Sequence, residues 1–384
     1  MLHSFASKQP FAMEVFREQK YLLTILGWCA IYPYAVPVPT SNACLKTAHR
    51  WYFVRLAVAL LLIVLLTYVR FLIMFAGSRF LQSLSYLIWL VATLVDTFMI
   101  LSILITNALN LKSIRALVHL LERVETVCHE TSLCNLRTQR YRWLCVVLAV
   151  TICILFHSYV FQTNYDGTWM VVFHLRVEVL LTDWYVIHLV FLLWTAGHCA
   201  KRLKTLIGDC VAAGNVTELC RILRLRDDLL RCIGLINRVY GVLFLVVSAS
   251  WFVSITAILY FDFILNGKFI IQSESHYAVA HSIMFVWKCI PAGSLLMVAG
   301  YISEQANEMI HHTCPYGMAQ DNNRPLQKMI DKLLVKSQFQ DTRFTAYGMF
   351  AIDNSLNYTV ISSIVTYLVI LMQFRQLEID NENQ

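Results

Sequence analysis

Charge is scarce in this sequence. Asp, Glu, Lys and Arg make up 14% of its 384 residues, while 58% are hydrophobic. A soluble domain carries about 25% charged and roughly 45–50% apolar residues, so a water-surrounded fold is a poor fit. A cleavable export signal is not expected either. Lys8, Glu14, Arg17, Glu18 and Lys20 interrupt the start of the chain, and no apolar run there ends at a small-residue cleavage site. The first span is therefore expected to act as the insertion signal. There is no Gly-rich phosphate loop and no nucleophile elbow. His311-His312-Thr313-Cys314 has metal-binding residue types, but no second Cys/His pair stands at zinc spacing. The expectation is a chain that is not an enzyme, with no cofactor, no metal and no nucleic-acid partner. Its +7 net charge sits between apolar blocks and reads as a topology signal.

What is abundant is long apolar runs. About twenty residues at 1.5 Å rise cross ~30 Å of hydrocarbon. Seven such runs predict spans over 56–76, 80–106, 143–163, 170–197, 239–265, 277–301 and 345–374. Gly77, Ser78 and Arg79 join the first two as a tight hairpin. Lys and Arg alternate with the spans: six in 1–55, six in 107–142, eight in 198–238 and five in 302–344, or 25 of 31. The other side has five: Arg70, Arg79, Arg176, Lys268 and Arg375. By the positive-inside rule the N-terminus is cytoplasmic and the C-terminus, after seven crossings, extracellular. None of the twelve cysteines falls in the short outer loops, which fits thiols kept reduced. The sequons Asn215-Val-Thr217 and Asn357-Tyr-Thr359 fall in a cytoplasmic loop and in a span, so neither is expected to be glycosylated. The fold class is an all-α membrane protein.

Residues 21–36 are apolar but short, and Pro33 interrupts them. Spanning there would put Lys8, Arg17 and Lys20 outside, so a helix dipping into the inner leaflet is preferred. Leu111, Ile114, Leu117, Leu121 and Val124, and then Val216, Leu219, Leu223, Leu230 and Ile233, keep helical spacing. Helices are thus expected to continue into the cytosol and pack there. Asp96, Arg176, Glu178, Asp183, His157, His188, His281 and Lys288 lie in or near spans, where ionisable groups pair or face a cavity. Tyr86, Trp89, His157, Tyr159, Asp183, Trp184, Tyr260 and His281 would line an aromatic pocket if the bundle has a cleft open to the outside. An interfacial aromatic belt is the plainer account of most of them.

The last span reads RFTAYGMFAIDNSLNYTVISSIVTYLVILMQF, residues 343–374. Thr366-Tyr367, five mostly apolar residues, then Gln373-Phe374 resemble the C-terminal signature of insect gustatory receptors. Phe344-Thr345-Ala346, Gly348, Phe350 and Asp353-Asn354 fit the same family. The close similarity covers about the last 35 residues. The resemblance implies a tetrameric ligand-gated cation channel of the gustatory and odorant receptor superfamily. Its seventh helix would be split, with a cytoplasmic part in an anchor (302–344) and an outer part lining a central pore. A tastant would bind the outer half of each six-helix bundle (56–301). The chain would sit in the plasma membrane of gustatory neuron dendrites and assemble with itself or sister subunits. Leu368 stands where sugar-type members often carry an acid, which leans towards bitter-type ligands.

Phe374, Ile370, Tyr367 and Ser363 share one helical face. On four copies around an axis, Phe374 and Gln373 would form a ring near the outer mouth that closes by excluding water. Thr366 and Tyr367 are expected to pack or hydrogen-bond between subunits. The tail 375–384, with Glu378, Asp380 and Glu382, reads as a solvated end screened within about 8 Å. Two other classes share the many-span pattern. A G-protein-coupled-type chemoreceptor would need the opposite orientation, and a secondary transporter would show internal repeats.

Overall fold

The computed structural model describes residues 42–76, 84–130, 169–269, 275–311, 324–338 and 342–382. Among these residues the chain forms eight helices and no strand. They are α1 (Asn42–Ala76), α2 (Leu84–Leu109), α3 (Leu111–Glu130), α4 (Trp169–Ala212), α5 (Val216–Phe269), α6 (Ser275–His311), α7 (Arg324–Gln338) and α8 (Asn354–Glu382). The segment 21–36, the span expected over 143–163, His157, Tyr159 and residues 312–314 lie outside the described residues.

Three of the helices are long and apolar enough to cross a membrane, within Leu90–Leu109, Val216–Tyr260 and Asn354–Asn381. Large apolar side chains point outward from them and from α1, among them Leu61, Val64, Phe98 and Val365. Outward apolar groups are what a lipid surround tolerates and water does not.

The core runs between α4, α5 and α6, with α2 on α5. Tyr185, Leu193, Ala196, Leu243, Phe244 and Ala299 are buried there. Below the apolar zone the helices do not stop. α4 continues to Ala212 and α5 begins at Val216, so the two form a long antiparallel pair. Asn215 caps the start of α5, its Oδ1 accepting the Glu218 N–H at 3.2 Å, which gives this sequon asparagine a structural role. The amphipathic α3 lays Leu111, Ile114, Leu117, Leu121 and Val124 against the pair, all buried. Ion pairs tie this lower part together: Lys204 to Glu308 at 2.5 Å and Lys336 to Asp227 at 2.6 Å.

The C-terminal stretch departs from the expected span over 345–374. Residues 344–352 form a tight reversal, closed by Ile352 N–H to Phe344 O at 2.8 Å and Ala346 N–H to Phe350 O at 2.9 Å. Tyr347 and Gly348 sit at φ 53° and 78°, which no helix accommodates. The helix starts at Asn354 behind Asp353, whose Oδ1 accepts the Ser355 N–H at 2.9 Å as an N-cap. Nor does the helix end at 374. It runs to Glu382, so the end read as solvated is helical as far as that residue.

Candidate functional site

The reversal at 344–352 is stapled to the lower ends of two helices. Asn237 on α5 donates to Arg343 O at 2.7 Å and accepts the Thr345 N–H at 3.2 Å. On α6, Ser303 donates to Thr342 O at 3.1 Å, and Asn307 accepts the Thr342 hydroxyl at 2.7 Å. Gly241 lets the backbone come this close, because a Cβ there would stand 3.2 Å from Tyr347 N. Phe344, Ala346 and Ile352 are buried in this joint, while Tyr347 and Met349 project outward, each 70% exposed. The foot of α8 is therefore fixed to the bundle at several points.

Above that foot, α8 touches its own bundle with a single side. Leu356, Val360 and Ile364 pack towards the core and Leu368, Leu371 and Arg375 are partly shielded; at 100° per residue these six share one side. Turned away from it are Ser355, Thr359, Ser362, Thr366 and Gln373, all exposed. The hydroxyls of Thr359 and Thr366 donate back to Ser355 O at 3.2 Å and Ser362 O at 2.9 Å. Their protons are thus used within the helix and their oxygen lone pairs point outward. No sequence-level grouping singled out this stripe, because the direction of the bundle was unknown.

The predicted face of Ser363, Tyr367, Ile370 and Phe374 does not stand opposite the bundle. Ser363 is half-buried and Tyr367 packs edge-on against Phe252 of α5, ring centroids 5.4 Å apart. Tyr367 thus makes a contact inside the subunit and stays 53% exposed. Ile370 and Phe374 lie to the flank and are exposed, and Gln373 lies on the polar stripe. Near the C-terminal end of α8, Glu378 is engaged. Its Oε1 accepts the Leu84 N–H of α2 at 3.3 Å, and Arg375 holds its other oxygen.

A second polar region lies inside the bundle. Asp183 of α4 and Lys288 of α6 form an ion pair at 3.6 Å, both almost fully buried. Tyr185 donates to Asn107 of α2 at 2.8 Å, and its ring lies 6.3 Å from that of the buried His188. Asp96 of α2 accepts from Ser250 and Ser254 of α5, each at 3.3 Å. Of the pocket residues expected from the sequence, Asp183 and Tyr260 are buried and Trp184 is half-buried. Tyr86 and Trp89 lie on α2 and His281 on α6, with side chains outside the described residues. The sequence showed Asp183 and Lys288 separately; their pairing needed the packing of α4 on α6.

Comparisons with known proteins converge on one family. The model of the family described as 7tm Chemosensory receptor matches residues 19–378. The chain is 30% identical to Gustatory receptor 68a of Drosophila melanogaster over 183 residues, 47% of each protein. It is 38% identical to Gustatory and pheromone receptor 32a of the same fly over 94 residues, 24% of this chain and 20% of the relative. The chain thus spans less than half the length of these relatives in the matched stretches. The fold resembles the olfactory receptor OR5 from Machilis hrabei with a TM-score of 0.68 at 15% identity, over 94% of this chain and 98% of that one. OR5 in complex with eugenol gives a TM-score of 0.67. The chain belongs to the 7tm chemosensory receptor family, the insect gustatory and olfactory receptors, which are membrane receptors and not enzymes.

Proposed function

We propose that this chain is a subunit of a ligand-gated, non-selective cation channel that detects tastants, with four copies of α8 around a central pore. The observation that supports this most is the outward stripe of Ser355, Thr359, Ser362, Thr366 and Gln373 on a helix long enough to span. In a lone subunit these groups would face hydrocarbon, where polar side chains are unfavourable. Three further copies and a column of water give them a suitable surround. Outward oxygen lone pairs without a fixed charge suit cations and discriminate weakly among them.

The remaining parts fit this reading. The 25-to-5 distribution of Lys and Arg supports a cytoplasmic N-terminus and an extracellular C-terminus. Helix α7, the stapled reversal and α8 correspond to a split seventh helix whose lower part anchors and whose upper part conducts. Exposed Tyr347 and Met349 are apolar tips that a neighbouring subunit would cover. A small organic ligand would enter beside α2, α4 and α6, near Trp184 and Tyr260. The eugenol complex of OR5 supports small-molecule binding as the trigger. Leu368 after Thr366-Tyr367 favours a bitter-type ligand. Residence in gustatory dendrite plasma membrane follows from this role.

Patch recording across a tastant panel tests the proposal, with the chain alone and with sister subunits. Thr366→Val and Gln373→Ala are expected to change relative cation permeability or conductance severalfold without abolishing ligand response. Currents that both substitutions leave unaltered would remove α8 from the conduction path.

A further inference from the structure

We infer that Glu378 is a positioning residue that latches the outer turn of α8 to the start of α2, and so couples ligand occupancy beside α2 to the conduction path. The inference rests on the reading of α8 as the pore helix.

The latch joins residues 294 positions apart. The Leu84 N–H donates to Glu378 Oε1 at 3.3 Å. In the first turn of a helix the N–H groups have no carbonyl four residues back, so they need an outside acceptor. A carboxylate meets that need and also faces the positive end of the helix dipole. Arg375, one turn earlier on α8, holds the other oxygen of the same carboxylate, and the two side chains are only 18% and 21% exposed. That shielding orients the carboxylate and makes the contact charge-assisted, unlike a loose surface pair. Along the rest of its length α8 packs chiefly on α5 and α6. The latch therefore ties α2 to the one part of α8 that no staple at its foot controls. Gln373 and Phe374 stand within two turns of it.

Its direction follows from geometry. Arg375 and Glu378 are on the bundle side of α8, opposite the polar stripe. The latch draws the outer end of α8 towards its own subunit and away from an axis shared with other copies. It thus favours the retracted, conducting arrangement. Tyr86 and Trp89 lie within two turns of Leu84 on α2. A ligand seated against that part of α2 biases where the first turn stands, and the latch passes the bias on. The transfer needs only a difference in affinity between the two arrangements.

The test uses the full chain, in excised patches and in lipid nanodiscs, comparing wild type with Glu378→Ala, Glu378→Gln, Arg375→Ala and the control Glu382→Ala. Ligand-free open probability is expected to fall roughly fivefold in Glu378→Ala and Arg375→Ala. The fall should be smaller in Glu378→Gln, which keeps an acceptor, and absent in Glu382→Ala. Single-channel conductance and surface amount should stay as in wild type. Hydrogen exchange of the α2 start should quicken in the same two variants. Unchanged exchange would mean that there is no latch. Quickened exchange with unchanged or raised open probability would make the contact structural only and overturn the coupling. Wild-type patches that never open while exchange responds as expected would overturn the pore reading itself, and with it this proposal.

Discussion

At the scale of single residues, the most consequential side chains are the charged ones enclosed by the helices. Asp183 and Lys288 neutralise each other at 3.6 Å with almost no water access. Pairing makes such charges tolerable, and removing one partner leaves the other uncompensated, at about 3–5 kcal/mol. Asp183→Ala and Lys288→Ala should each sharply lower the thermal unfolding midpoint and the surface amount of the receptor. The double substitution Asp183→Leu with Lys288→Met should recover most of that loss, because no charge is left stranded. Unfolding midpoints of the purified variants check this, and a double variant no better than either single one would contradict it. Asp96 is handled differently, by two serine hydroxyls from the facing helix, in keeping with the rule that membrane-depth carboxylates find polar company.

At the scale of elements, the joint between the reversal and the bundle sets where α8 can go. Asn237 makes two hydrogen bonds across it and Gly241 leaves no room for a side chain. Asn237→Ala leaves a carbonyl and an N–H without this partner, a loss of about 1–3 kcal/mol. Gly241→Val drives a branched side chain into backbone that cannot yield. Both are expected to lower the thermal midpoint and reduce ligand-evoked current per receptor at the surface, Gly241→Val more strongly, as unfolding and recording with surface labelling would show. The elements also divide into those legible beforehand and those not. Leu111, Ile114, Leu117, Leu121 and Val124 repeat with helical period, so the packed face of α3 could be read directly. The start of α8 could not, because Thr345 to Phe350 are as apolar as a span. Only Tyr347 and Gly348 at positive φ, against Gly241, reveal a turn. The sequence signature ending in Gln373-Phe374 lies on α8. Its rotation depended on which side met α5, and Phe252 against Tyr367 decides that.

At the scale of the whole molecule, one subunit looks incomplete by itself. The α8 helix is largely uncovered along its apolar length, it carries polar groups on the uncovered side, and among the described residues it is held by one packed side, by the staples at its foot and by Glu378. Such a helix suits an assembly in which several copies share an axis and small displacements of their outer ends change the water path between them. On the proposed reading, contacts within each subunit set the resting position, and a ligand beside α2 would shift it.

Cysteine accessibility along α8 tests that account most directly. In a background lacking reactive native cysteines, Ser355, Ser362, Thr366 and Gln373 would each be changed to cysteine, as would Leu356, Ile364 and Leu371. A water-soluble, positively charged thiol reagent would then be applied during recording. The account predicts block at the first four positions and none at the last three. Block following the Leu356, Ile364 and Leu371 side, or appearing at no position, would contradict it.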